Sequence, residues 1–168
     1  MRKSTIIKDL IEMLERELGN SPAASGTPSQ RGKVKYIDKD WGQLGMEHSP
    51  VGWPCILIDI EAVDIRPLTD GNEQHKATVV LTVANKRTNS SSAHAPRTAK
   101  EKSMETIDLT DDIHRLVQNY AAEGAEYTPL REQSFFKLND LPGAEVYAMR
   151  YVTKYNICNN GPEEANPE

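Results

Sequence analysis

Lys76-Ala-Thr-Val-Val-Leu-Thr-Val-Ala-Asn85 is the stretch whose reading decides the fold. Ala77, Val79, Leu81 and Val83 alternate onto one side of an extended chain, the period-two pattern of a strand with one face against a core. Upstream, Cys55 to Ile65 has the same period, with Ile56, Ile58 and Ile60 on one face and Leu57, Asp59 and Glu61 on the other. Val63 and Ile65 then fall out of phase, as they do past a β-bulge. Pro67-Leu-Thr-Asp-Gly-Asn72 separates the two runs with turn-forming residues, so they read as an antiparallel hairpin at the centre of a sheet.

Working outward, Ile7, Leu10, Ile11, Leu14 and Leu18 recur at three- and four-residue steps opposite Lys8, Glu12, Glu15 and Arg16, which predicts an amphipathic helix over Ser4 to Leu18. Ser4 or Thr5 is its expected cap, Glu12 and Arg16 its expected ion pair, and Gly19 with Asn20 its expected left-handed stop. A short strand is predicted at Lys33 to Asp38. Trp41 and Trp53 lie in the Gly- and Pro-rich stretch that follows and are its expected apolar anchors. A second amphipathic helix is predicted from Ser103 to about Glu123, with Leu109, Ile113, Leu116, Val117 and Tyr120 on one face. Asp108 or Thr110 is its expected cap, with Asp111 and Asp112 in the first turn. Ser134 to Leu138 and Ala144 to Ile157 flank Asn139-Asp-Leu-Pro-Gly143 as a closing hairpin.

These elements predict one α+β domain over residues 1–158, with a mainly antiparallel sheet of four to five strands and two amphipathic helices on one face. Long loops are expected at 19–32 and 86–103, and the acidic tail 159–168, with nothing to bury, is expected to be disordered. A chain of 168 residues is long enough for one core without metal or disulfide staples. Cys55 and Cys158 form no metal-ligand or disulfide pattern, and a reducing compartment is expected. No apolar run approaches the roughly 20 residues that span a bilayer, so no membrane is expected.

Candidate chemistry is sparse. His48, His75, His94 and His114 stand in different elements without metal-ligand spacing, and no metal or other cofactor is expected. Asp108, Asp111 and Asp112 read as charges favoured at a helix start rather than as cation ligands, Asp59 and Glu61 as solvent-facing strand charges, and His114 as a solvated helix residue. His48 has no nucleophile specified near it, which leaves a hydrolase the weakest reading. P-loop, nucleophile-elbow and dinucleotide-binding motifs are absent from the sequence, and the chain is read as a non-enzyme.

Two features point to recognition instead. The stretch 86–102 carries Lys86, Arg87, Arg97, Lys100 and Lys102 against Glu101, and reads as a long basic loop, either one that contacts a partner or a solvated, mobile connection. Tyr147, Tyr151 and Tyr155 form a row on the last strand, read either as a subunit surface or as a core face with polar tips at its edge. A binding module for nucleic acid or protein, using the basic loop with Trp41 and Trp53 as stacking platforms, is the alternative. The net charge of −5 argues against general nucleic-acid binding.

The order helix, short strand, long hairpin, loop, helix and closing hairpin resembles the tail terminator and minor tail proteins of long-tailed bacteriophages over about residues 4–157. The resemblance is carried by Ile6-Ile-Lys-Asp-Leu-Ile-Glu-Met-Leu14, Trp53-Pro-Cys-Ile-Leu-Ile-Asp-Ile60, Thr78-Val-Val-Leu-Thr-Val-Ala84, Ile113-His-Arg-Leu-Val-Gln-Asn-Tyr120 and Val146 to Ile157. It implies a small α+β subunit without catalytic residues that assembles into a ring, typically a hexamer, on the tail tube. The implied partners are further copies of the chain, the tail tube protein and head–tail connector proteins, with nucleic acid only passing through the ring. The implied location is the virion tail or neck, after synthesis in the host bacterial cytoplasm.

Overall fold

The alternation in Lys76 to Asn85 produces the strand it predicts, and that strand is the middle of the sheet. The computed structural model describes residues 2–19, 32–69, 71–87, 97–138 and 141–158, except the side chains of 98–100, 102 and 103. Its elements are α1 (Lys3–Leu18), β1 (Tyr36–Lys39), β2 (Cys55–Pro67), β3 (Glu73–Lys86), α2 (Arg97–Val117), β4 (Arg131–Leu138) and β5 (Ala144–Ile157). The sheet order is β1-β2-β3-β5-β4. Only β1 and β2 are parallel, and every other neighbouring pair is antiparallel, giving the expected α+β class. The expected loop 20–31, the stretch 88–96 with His94, and the tail 159–168 lie outside the described residues.

Both helices cover one face. Ile6, Leu10, Leu14 and Leu18 of α1 and Ile113 and Val117 of α2 are fully buried against Ile56, Ile58, Val79, Leu81, Val83, Met149 and Tyr151. Each large apolar side chain so buried contributes about 1.5–3 kcal/mol, which makes this layer the main source of stability. On the opposite face a smaller cluster of Val51, Cys55, Ala84 and Val146 packs under Leu44 and Trp53. The pairing of β2 with β3 shifts between Ile60 and Ala62, so the phase change read from Val63 and Ile65 is a bulge at Glu61.

Several expected helix ends are corrected. Arg2, not Ser4 or Thr5, holds the N-cap position of α1, without a side-chain cap, and Arg16 pairs with Glu17 at 3.0 Å instead of Glu12. Gly19 is extended (φ −75°, ψ 176°) rather than left-handed. The chain returns along the helix end, where Val34 N–H donates to Leu18 C=O and Gly32 N–H to Gly19 C=O, so those carbonyls are satisfied without a left-handed turn. Glycine is required there for close approach, because a Cβ at position 19 would lie 2.6 Å from Glu15 O. Gly19→Ala is therefore expected to cost about 1–3 kcal/mol in urea unfolding, since the obstacle is backbone. An unchanged midpoint would refute that account.

Helix α2 begins at Arg97, six residues before the expected start, and ends at Val117. Arg97 Nε donates to Glu101 at 2.8 Å across its first turn. Asn119 in the left-handed region (φ 65°) ends it, and its N–H bonds Leu130 C=O. Asp108, Asp111 and Asp112 are thus well inside the helix, neither caps nor first-turn charges. Asp112 is buried and takes hydrogen bonds from Lys33 Nζ at 2.6 Å and Arg115 Nη2 at 2.8 Å.

Candidate functional site

Among the described residues the outermost strands of the sheet are the short β1 and β4, and β2 also lacks an outer neighbour past the end of β1. Strand β1 has four residues and β2 thirteen, so their pairing stops at Lys39 with Ile58. Asp40 N–H still donates to Ile58 C=O at 2.8 Å, which fixes the polar groups of Ile58 as pointing outward. Along an antiparallel strand these groups alternate in direction, so Ile60 also points outward. Past the bulge, the pairing of Val63 with Ala77 and Ile65 with His75 carries the outward direction to Val63 and Ile65.

A groove of about 640 Å³ runs beside this edge, lined by Lys3, Ile7, Lys8 and Ile11 of α1, by Lys39, and by β2 from Asp59 to Val63. Its floor is free backbone and its wall an apolar helix face with a lysine rim. Arg150 Nε donates to Glu61 Oε2 at 2.6 Å and Arg150 Nη2 to the other carboxylate oxygen. That hydrogen bonding lowers the Glu61 pKa and raises that of Arg150. The guanidinium also lies 4.5 Å from the Phe136 ring centroid, so the pair ties β2 to β5 and β4 across β3.

The second edge is β4, which pairs only with β5. Thr128 N–H donates to Lys154 C=O, so even-numbered residues of β5 point toward β4. Ser134, Phe136 and Leu138, opposite Arg150, Ala148 and Val146, therefore face inward, while Phe135 and Lys137 face outward. Glu132 N–H is already taken by Gln118 Oε1 at 2.9 Å. Phe135 stacks on Tyr147 at 5.4 Å, and Lys137 Nζ sits 5.5 Å from that ring's centroid. Ile65 is 57% exposed and Phe135 43%, and both lie at outward positions of open edges.

The expected contact residues fall elsewhere. Lys86 ends β3, Arg87 N–H bonds Gly143 C=O, and Arg97 pairs with Glu101 inside α2. The expected basic loop 86–102 is thus not one loop, and the side chains of Lys100 and Lys102 lie outside the described residues. Tyr147, Tyr151 and Tyr155 are buried (8%, 0% and 3% exposed), which corrects the subunit-surface reading: their parity on β5 puts them on the helix-covered face. Trp53 packs on the smaller cluster, whereas Trp41 is half exposed, belongs to neither apolar cluster and meets the Tyr36 hydroxyl with its side chain. Gln43, missed in the sequence, holds that turn: its buried amide donates to Lys39 C=O and accepts from Trp41 N–H.

His48 is exposed, whereas His75 is buried with Nε2 2.9 Å from Glu73 Oε2. His114 is half-buried, with Nδ1 3.2 Å from Tyr151 Oη and 3.4 Å from Glu132 Oε2, so it is not simply solvated. Burial pushes the Cys55 thiol up to about 12, which keeps it protonated and unreactive at neutral pH. Among the described residues no cluster of three or more His, Cys, Asp or Glu is placed to hold a metal ion, and no helix is long and apolar enough to cross a membrane. No protein-family model matches the chain, and no curated protein is similar enough to be matched to it.

Proposed function

We propose that this chain is a structural subunit of the tail terminator kind, which forms a ring on the tail tube of a phage or prophage and joins it to the head. The observation that carries the reading is the pair of open edges on opposite sides of one sheet, at β4 and at distal β2, each with a large exposed apolar side chain. Exposed edges are aggregation hazards that proteins normally cover or blunt, so two of them favour a chain whose work is association. Helices on one face only, and strands running end to end, give a subunit that repeats side by side. The test is mass photometry of the full chain with electron microscopy of tail tubes from the same phage or prophage. Closed oligomers, free or at one tube end, are the expected result. A monomer at every concentration that never decorates a tube end would overturn the reading.

A further inference from the structure

We infer that neighbouring copies join by strand addition, β4 of one copy lying antiparallel against the distal half of β2 in the next, with Phe135 opposite Ile65 and Lys137 opposite Val63. The inference rests on the self-association proposed above and specifies its interface.

Direction comes first. Strand β2 is antiparallel to β3, β3 to β5, and β5 to β4, so β4 runs opposite to β2. Across the sheet Phe135 is level with Met149, Leu81 and Ile58, six β3 positions from the row of His75 and Ile65, so this pairing offsets successive copies by about 20 Å along the strands. A rotation about an axis inclined to the strands, as in a barrel with tilted strands, takes up that offset and leaves their sense unchanged, so β4 meets the next copy's β2 as an antiparallel partner. Register comes next. In an antiparallel ladder, residues that exchange both backbone bonds recur every second position and share a face. Phe135 and Lys137 are two apart and outward on β4, as are Val63 and Ile65 on β2. Opposite Met149 and Tyr147, Phe135 and Lys137 lie on the helix-covered face, as do Val63 and Ile65 opposite Ala77 and His75. The joined sheet therefore keeps all helices on one side.

Side chains agree with this register. It places the exposed Phe135 and Ile65 against one another, an aromatic and β-branched cross-strand pair. On the other face it sets Phe136 opposite Asp64 and Ser134 opposite Arg66. Residues 60–67 carry Glu61, Asp64 and Arg66, a net charge of −1, while β4 carries Arg131, Glu132 and Lys137, a net charge of +1. Glu61 is held by Arg150, and the register sets no like charges directly opposite one another, which leaves the apolar pair to carry the contact. Such a contact is heterologous and propagates head to tail until it closes.

The test uses the full chain with Cys158→Ser, leaving buried Cys55 as the sole native thiol. Adding Ile65→Cys and Phe135→Cys places thiols on a directly bonded pair, whose Cα separation of about 5.5 Å suits a disulfide. Mild oxidation is expected to give a ladder of covalent oligomers. The control, Val63→Cys with Phe135→Cys, is one step out of register and is expected to give at least tenfold less. Separately, Ile65→Pro and Lys137→Pro each delete an outward N–H. Each alone is expected to be a folded monomer by circular dichroism and mass photometry, and an equal mixture to give dimers and nothing larger. Oligomers in the parent protein without the covalent ladder overturn this interface while leaving the ring reading intact, as does either proline variant dimerising alone. A parent protein that stays monomeric, even with tail tubes, overturns both. Because the cysteine pairs leave the backbone ladder whole, they decide the matter even if a proline variant fails to fold.

Discussion

Leu81→Ala is expected to destabilise the protein by about 3 kcal/mol, with a fall in Tm of about 10 °C for a domain of this size. Leu81 is fully buried in the central strand, paired with Ile58 on one side and Met149 on the other, beneath the helix layer. Removing its branched end forfeits the transfer energy of the lost carbons and leaves a cavity bordered by regular strands, which cannot easily collapse. Phe135→Ala, at an exposed edge, is expected to change stability by no more than about 1 kcal/mol. Urea titrations of the two variants separate these cases, and equal midpoints would mean that the core is not centred on β3.

Raising the pH above 10 is expected to unfold the protein steeply. Burial raises the pKa of Tyr151, Tyr127, Tyr155 and Tyr120, with Glu132 adding to the effect at Tyr151, and Asp9 at Tyr127 and Tyr120. Tyr127 Oη donates to Asp9 Oδ2 at 3.0 Å, and Tyr120 Oη to Asp9 C=O at 3.3 Å, so their protonated forms are the ones that fold. In the unfolded chain each phenol loses its proton near pH 10. A group whose folded pKa is raised gives stability that is complete below the unfolded value and is lost as pH rises toward the folded one. Each such tyrosine removes about 1.4 kcal/mol per pH unit in that window, so Tyr151 and Tyr127 together remove about 3. Urea midpoints from pH 8 to 11.5, with phenolate absorbance followed in parallel, test this. Tyr151→Phe is expected to flatten the slope, and a flat profile in the parent protein would remove the account.

The alternation of β2 and β3, the bulge and the helix-facing residues were legible because each is local: a period of two or of three to four residues states which side chains share a face. The sequence places the start of α2 six residues late, because Ser90 to Ser92 and Pro96 make the whole stretch read as a loop. Arg97, Ala99, Lys100, Glu101 and Lys102 are nevertheless good helix formers. The tyrosine row was ambiguous for a different reason. Alternation gives the parity of Tyr147, Tyr151 and Tyr155 but not which parity meets the helices, and that depends on pairing with β3, more than sixty residues away. The open edges were out of reach on the same ground. They are properties of strand order, and the only hint was a short expected β1 beside a much longer β2.

Strands β2, β3 and β5 run from one pole of the molecule to the other. Pro67, Glu73 and Ile157 align at the first pole, and Cys55, Ala84, Lys86 and Ala144 lie toward the second. In the proposed ring of like-oriented copies the two rims would differ chemically, with the hairpin turn after Pro67 on one and the Lys86–Arg87 strand end on the other. Such an object would be vectorial: it would seat on a cylinder in one sense only, and the rim turned outward need not accept a second collar. That asymmetry would make it a stop rather than a repeat.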